Sequence, residues 1–286
     1  MIRLDAATVL LQWATGGLLF LWVTTRRREV GIGYGWLLRA VYGVLALGAA
    51  AVGAAVNPVA LRDGCAAAVT VAATVALVVS VLRRKAGVAG ERARRDRKAA
   101  RVAAMAGQPP IAPDPSQGAV AVKEFPPVLD VVAPLVGFIG LIAAGMAAGG
   151  PHPLAVARTL AGAVFLGAVS DAMLLGHWYL VQPGLGRGPL LELNRWLALT
   201  WPLEVAALLW PTGMLSVLSG SVDDGWGGTL GWFWVACAVT TLILTGVTQA
   251  ALKERAYSAV MAATGLLYLA ILTAFGTDLV ARAVLA

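Results

Sequence analysis

Two carboxylates, Asp171 and Glu204, sit inside apolar runs on either side of the stretch GHWYLVQPGLGRGPLLELNRW, residues 176–196. A carboxylate at mid-membrane depth costs several kcal/mol unless it is protonated, paired or facing water, so such residues mark functional sites. The stretch between them reads as the turn of a helical hairpin. Pro183 and three glycines end the first helix, and Pro189 suits the first turn of the next, where its missing N–H costs nothing. Asp171 lies about 15 Å along a helix from Val181, and Glu204 about 14 Å from Arg195. On this reckoning the two share a depth, and a shared proton or a bound cation would satisfy both. The competing role is structural. Protonated acids also join helices by hydrogen bonds, with Ser170, Thr200 or Asn194 as neighbours. The carbonyl freed by Pro202 is a further acceptor.

His177 stands between these acids and the end of the first helix, amid Trp178, Tyr179 and Trp196. It could relay protons to the membrane surface, or it could anchor a helix end within an interfacial aromatic belt. Arg187 and Arg195 flank a glycine-rich turn that opens a helix. Backbone N–H groups and cationic side chains there suit an anion or a lipid headgroup, while the plainer reading is a tight turn with ordinary surface charge. No H-E-x-x-H, G-x-S-x-G or phosphate-binding loop is present, so no catalytic residue and no metal ligand is assigned. His152 and His177 fall on opposite membrane sides and cannot hold one haem, so the cofactor stays unassigned.

Composition supplies the elements that position these residues. Of 286 residues, 59% are hydrophobic and 13% charged, about half the charge of a soluble domain. Solid apolar runs near 6–24, 38–56, 64–82, 127–148, 154–181, 196–218, 229–251 and 257–280 reach the roughly 20 residues that span a bilayer. They do not alternate as barrel strands do. The fold class is all-α: a polytopic helical membrane bundle with about eight transmembrane helices. It divides into helices 1–3 (residues 1–82), a basic loop (83–126) and helices 4–8 (127–286). The first run is a retained helix, because its positive charges follow it instead of preceding it. Cys65 and Cys237 stand alone and are expected as buried thiols, not a disulfide.

Charge orients the bundle. Eighteen of the 22 basic residues fall on one set of alternate loops, all but Arg3, Arg62, Arg158 and Arg282. The positive-inside rule places those loops in the cytoplasm and both termini outside the cell membrane. Asp130 and Asp278, near span ends, are expected to reach water, with Asp278 and Arg282 forming an i, i+4 pair. Residues 83–106 form a basic helix suited to anionic lipid or a soluble or membrane partner. Residues 107–122, with four prolines, read as a mobile tether. Nucleic acid is excluded as a partner, because no aromatic residues interleave the basic ones.

The residues point to a membrane protein that handles a small solute, ion or proton through a buried carboxylate pair more than to an enzyme. Two other classes fit the composition: a non-catalytic membrane subunit of a larger complex, such as a redox assembly, and a lipid-modifying membrane enzyme using His177 and Arg187.

Overall fold

The computed structural model describes residues 5–105, 124–182, 184–211, 213–254 and 256–285. The expected tether at 107–122 lies outside them. Helices account for nearly all the rest: α1 (Ala6–Thr25), α2 (Ile32–Val56), α3 (Ala60–Leu82), α4 (Ala89–Met105), α5 (Leu129–Ala147), α6 (His152–Val181), α7 (Gly188–Leu209), α8 (Gly213–Leu218), α9 (Thr229–Ala251) and α10 (Tyr257–Val284). No strand occurs among the described residues. Seven of these helices are long and apolar enough to cross a membrane: α1, α2, α3, α5, α6, α9 and α10. The protein is an all-α polytopic bundle.

The helix α7, which carries Glu192, Arg195 and Glu204, is not among those seven. Its form corrects the expected span at 196–218. The helix begins at Gly188, stops at Leu209, and is followed by a cis Trp210–Pro211 peptide and the six-residue α8. A proline lacks the N–H that would continue the ladder. Other boundaries also move outward past charges, which takes Arg62 and Arg282 into helices that, like those of Arg39 and Asp278, enclose them. Each has a partner inside the bundle, so lipid does not exclude it.

Side-chain contacts sort the helix ends into two groups. At one end, Arg26 and Arg27 pair with Glu192, Arg28 pairs with Glu124, and Arg83 donates to the Glu124 carbonyl. Gly31 N–H donates to Gln182, and Arg187 donates to the carbonyls of Leu252 and Ala256. At the other end, Asp5 and Asp63 pair with Arg62, while Arg158 donates to the carbonyls of Ala207 and Trp210. Asp224 closes this second end. It accepts from the N–H groups of Trp226, Gly228, Leu230 and Gly231 and so caps α9. Those four bonds, led by Gly228, hold its carboxyl below the usual aspartate range.

The core gathers around α1 and α6. Of the most apolar stretch of α6, 72% is buried, against 33% for α3, α9 and α10, whose outward apolar faces suit lipid. Small residues let α1 and α6 touch backbone to backbone: a Cβ built on Gly16 or Gly167 would overlap main-chain atoms of the other helix. Cys65 and Cys237 are buried free thiols.

Asp130 does not reach water as expected. It is 2% exposed, and Arg39 holds it in a fork, Nε to Oδ1 and Nη2 to Oδ2, both at 2.7 Å. Thr25 donates to it, Ser80 accepts from Arg39, and the guanidinium lies 4.3 Å above the Phe125 ring. Removing one partner strands a buried charge. Asp130→Ala is therefore expected to lower stability by about 3–5 kcal/mol, and the double change Arg39→Met with Asp130→Leu to recover most of it. Chemical unfolding in detergent checks both; a single variant as stable as wild type would show that the pair holds nothing together.

Candidate functional site

Four helices meet at Gly162. A Cβ there would lie 2.6 Å from Arg282 Nη2, 2.7 Å from Asp278 Oδ1 and 2.9 Å from Gln12 Nε2. The glycine makes room for a polar cluster drawn from α1, α6 and α10. The α7 member is Glu204. Its strongest charge interaction is with Asp278, followed by Arg282 and Arg158.

Much of this cluster is bonded. Arg282 Nε donates to Asp278 Oδ1 at 2.7 Å, the expected i, i+4 pair, and its Nη2 donates to the Arg158 carbonyl at 3.0 Å. Gln12 Nε2 donates to the Thr159 carbonyl at 2.7 Å. Yet four acceptor oxygens are buried with no hydrogen-bond partner: Glu204 Oε1 and Oε2, Asp278 Oδ2 and Gln12 Oε1. Glu204 and Asp278 are each 0% exposed, so Asp278 does not reach water as expected. An unpaired buried acceptor costs roughly 1–3 kcal/mol, more if charged. Four in one cluster are an open demand for hydrogen.

Asp171 occupies a different place. Tyr42 on α2 donates to its Oδ1 at 2.5 Å, and Tyr34 donates to its backbone carbonyl at 3.3 Å. Asp171 is 0% exposed, and its Oδ2 has no partner. The expected pairing of Asp171 with Glu204 is thus corrected, since the two share no partner. The reason is the reference point. Arg195 stands for the membrane edge in the sequence reckoning, but α7 starts at Gly188. Glu204 is about 24 Å along its helix, and Asp171 about 15 Å from the end of its own. Glu204 therefore lies deeper than Asp171, and its neighbours Arg158, Asp278 and Arg282 put it at the Gly162 cluster, while Asp171 lies nearer the arginine-rich end. None of the expected neighbours bridges the acids. Ser170 accepts from Trp13, Thr200 donates to the Leu197 carbonyl, and Asn194 ties α7 to α9 through Thr245 and Gln249.

His177 is exposed and shares a hydrogen bond of 3.1 Å between Nδ1 and the Tyr268 hydroxyl, away from Asp171. Arg187 uses both Nη atoms on the carbonyls of Leu252 and Ala256, which staples the α9–α10 turn instead of opening toward an anion. Arg195 is exposed on α7. Sequence reasoning missed Gln12, Arg158, Asp278 and Arg282 as site residues. The available signal was that each polar side chain interrupts an apolar run, but three lie near span ends, where charge is ordinary. Comparison with known protein families, curated proteins and solved structures finds no match.

The bonding pattern separates two roles. Arg282 compensates buried acids, so Arg282→Met is expected to cost about 3–5 kcal/mol. Glu204 accepts from no donor group, and a glutamine amide can still bond Asp278, so Glu204→Gln should change stability by less than about 1 kcal/mol. Unfolding midpoints of the two variants in one detergent test this; equal losses would make Glu204 a structural partner.

Proposed function

We propose that this membrane protein binds and passes protons at Glu204 and Asp278. The observation that carries the reading is the pair of Glu204 oxygens, fully buried within hydrogen-bonding reach of a second carboxylate and receiving a hydrogen from no donor group. A proton placed between the acids turns one open acceptor into a donor. A metal ion is the poorer fit, because Arg158 and Arg282 stand against the same carboxylates as fixed positive charges. Among the described residues no three His, Cys, Asp or Glu side chains cluster to ligate one. The Arg158 and Arg282 guanidiniums instead suit a site that alternates between one and two negative charges, since they lower the cost of the deprotonated state.

Reconstitution into liposomes holding a pH-sensitive dye tests the reading. Under an imposed potassium diffusion potential, wild type is expected to acidify or alkalinise the lumen, and Glu204→Gln and Asp278→Asn to lose that flux. A Glu204→Gln protein that passes protons like wild type would remove the site from the function.

The positive-inside rule supports a cell-membrane orientation with the arginine-rich end in the cytoplasm and both termini outside. The basic helix α4 then lies where anionic headgroups or a soluble partner would meet it. A tag after Ala286 should react with an impermeant reagent in intact cells. Reaction only after lysis would reverse the orientation.

A further inference from the structure

We infer that Asp171 is a second proton-binding site, in series with Glu204 and Asp278 and opening toward the arginine-rich end of the bundle; its place in a series rests on the function proposed above.

The first ground is incompleteness of the same kind. Asp171 has one oxygen bonded to the Tyr42 hydroxyl and the other, Oδ2, buried with no partner. Buried acids with a structural role here are finished: Asp130 has both oxygens on Arg39. No charged group compensates Asp171. Its titratable neighbours among the described residues are Tyr42 and Tyr34, both from α2. An uncompensated carboxylate in hydrocarbon costs several kcal/mol, and a proton on Oδ2 removes that cost.

The second ground is where hydroxyls continue. Tyr34 neighbours Thr24 and Tyr179 as well as Asp171. Tyr179 donates to the Gly186 carbonyl at 2.6 Å in the α6–α7 turn and lies near the exposed Glu29. Tyr34, Thr24 and Tyr179 are nearly or fully buried, and each hydroxyl can donate and accept. They lie between Asp171 and the turn between α6 and α7, each donating to a backbone carbonyl (Tyr34 to Asp171, Thr24 to Phe20, Tyr179 to Gly186), and reorientation of these hydroxyls makes them a file. Toward the other end the surroundings close. Gly16 on α1 and Gly167 on α6 meet backbone to backbone between Gly162 and Asp171, with no space between the two main chains. The two acids thus stand on opposite sides of this close-packed seam. The transfer is simple in balance. A proton leaves the Asp171 carboxyl for a hydroxyl oxygen of the file, that hydroxyl releases its own proton onward, and the carboxylate is reprotonated from the Glu204–Asp278 side when the seam opens.

Infrared titration of the carboxyl C=O stretch in protein reconstituted into phosphatidylcholine liposomes tests this, with protons as the probe and flux measured on the same samples. Wild type is expected to show two buried carboxyl components. Asp171→Asn should lose one component and the flux while keeping the component that Glu204→Gln removes. Tyr42→Phe should shift the frequency of the Asp171 component without deleting it, because the hydroxyl that donates to Oδ1 is gone; this variant decides the matter if Asp171→Asn fails to fold. A spectrum and flux unchanged in Asp171→Asn, or unshifted in Tyr42→Phe, would overturn the second site. If Glu204→Gln alone leaves both readouts unchanged, the function proposed at Glu204 falls while the Asp171 site stands.

Discussion

A charge cannot stand alone in hydrocarbon, and the interior of this bundle is arranged by how each buried charge meets that demand. The demand ties helix ends together. Arg39 on α2 reaches Asp130 on α5, which bridges two helices that pack mainly on others at the arginine-rich end. Arg62 on α3 must reach Asp5 at the head of α1, which ties the opposite end. Apolar packing between helices does not supply such selectivity, because lipid tails are as apolar as the helices themselves. The polar pairs lock helix ends across the bundle, and small residues let the directly packed neighbours close. The contact of Gly16 with Gly167 follows from α1 and α6 being placed side by side.

Within this frame α6 serves as a ruler. Arg158 and Gly162 mark one polar level along it, Gly167 marks a dry level, and Asp171 marks a second polar level. The order matters more than any single residue. On the proposed function, a proton bound at one level is separated from the other by the close backbone contact of α1 and α6, so passage requires relative movement of these helices or entry of water between them. A glycine contact suits that demand, since it seals without interlocking side chains.

The fold was legible in the sequence because lipid imposes one rule on every span: solid apolar runs of a fixed length. Seven apolar helices and the alternation of basic loops follow from that rule. The boundaries were less legible for the same reason. Arg39, Arg62 and Arg282 look like flanks until their partners are known, and partners come from contacts distant in sequence. The candidate site was half legible. Asp171 and Glu204 stand out as acids within apolar runs. Their separation was hidden, because depth along a hairpin depends on where α7 begins, and Arg195 resembles an interface residue although the helix starts at Gly188. Rotation about each helix axis is set by packing, which no local pattern records. Gln12 gave little signal at all: one neutral amide in an apolar helix becomes informative only once Gly162 brings Asp278 beside it.

Finished and unfinished polar networks differ in what they imply. The Arg39–Asp130 fork satisfies both carboxylate oxygens and adds Thr25, Ser80 and Phe125 around the pair. Such a network gains nothing from a further ligand, and any ligand would have to break it. At Glu204 both carboxyl oxygens, and at Asp278 and Asp171 one oxygen each, are buried without a donor. Apolar residues of similar volume would fill those positions at lower cost, since replacing buried ionic groups by well-packed apolar ones is often neutral or stabilising. Keeping acids there spends stability on groups that can gain a bond only by taking up a proton. The cost falls on three residues at two levels of one helix bundle, and a single site would need only one level. Two levels are what a path requires, because a proton that enters at one membrane face and leaves at the other must rest on each side of the seam.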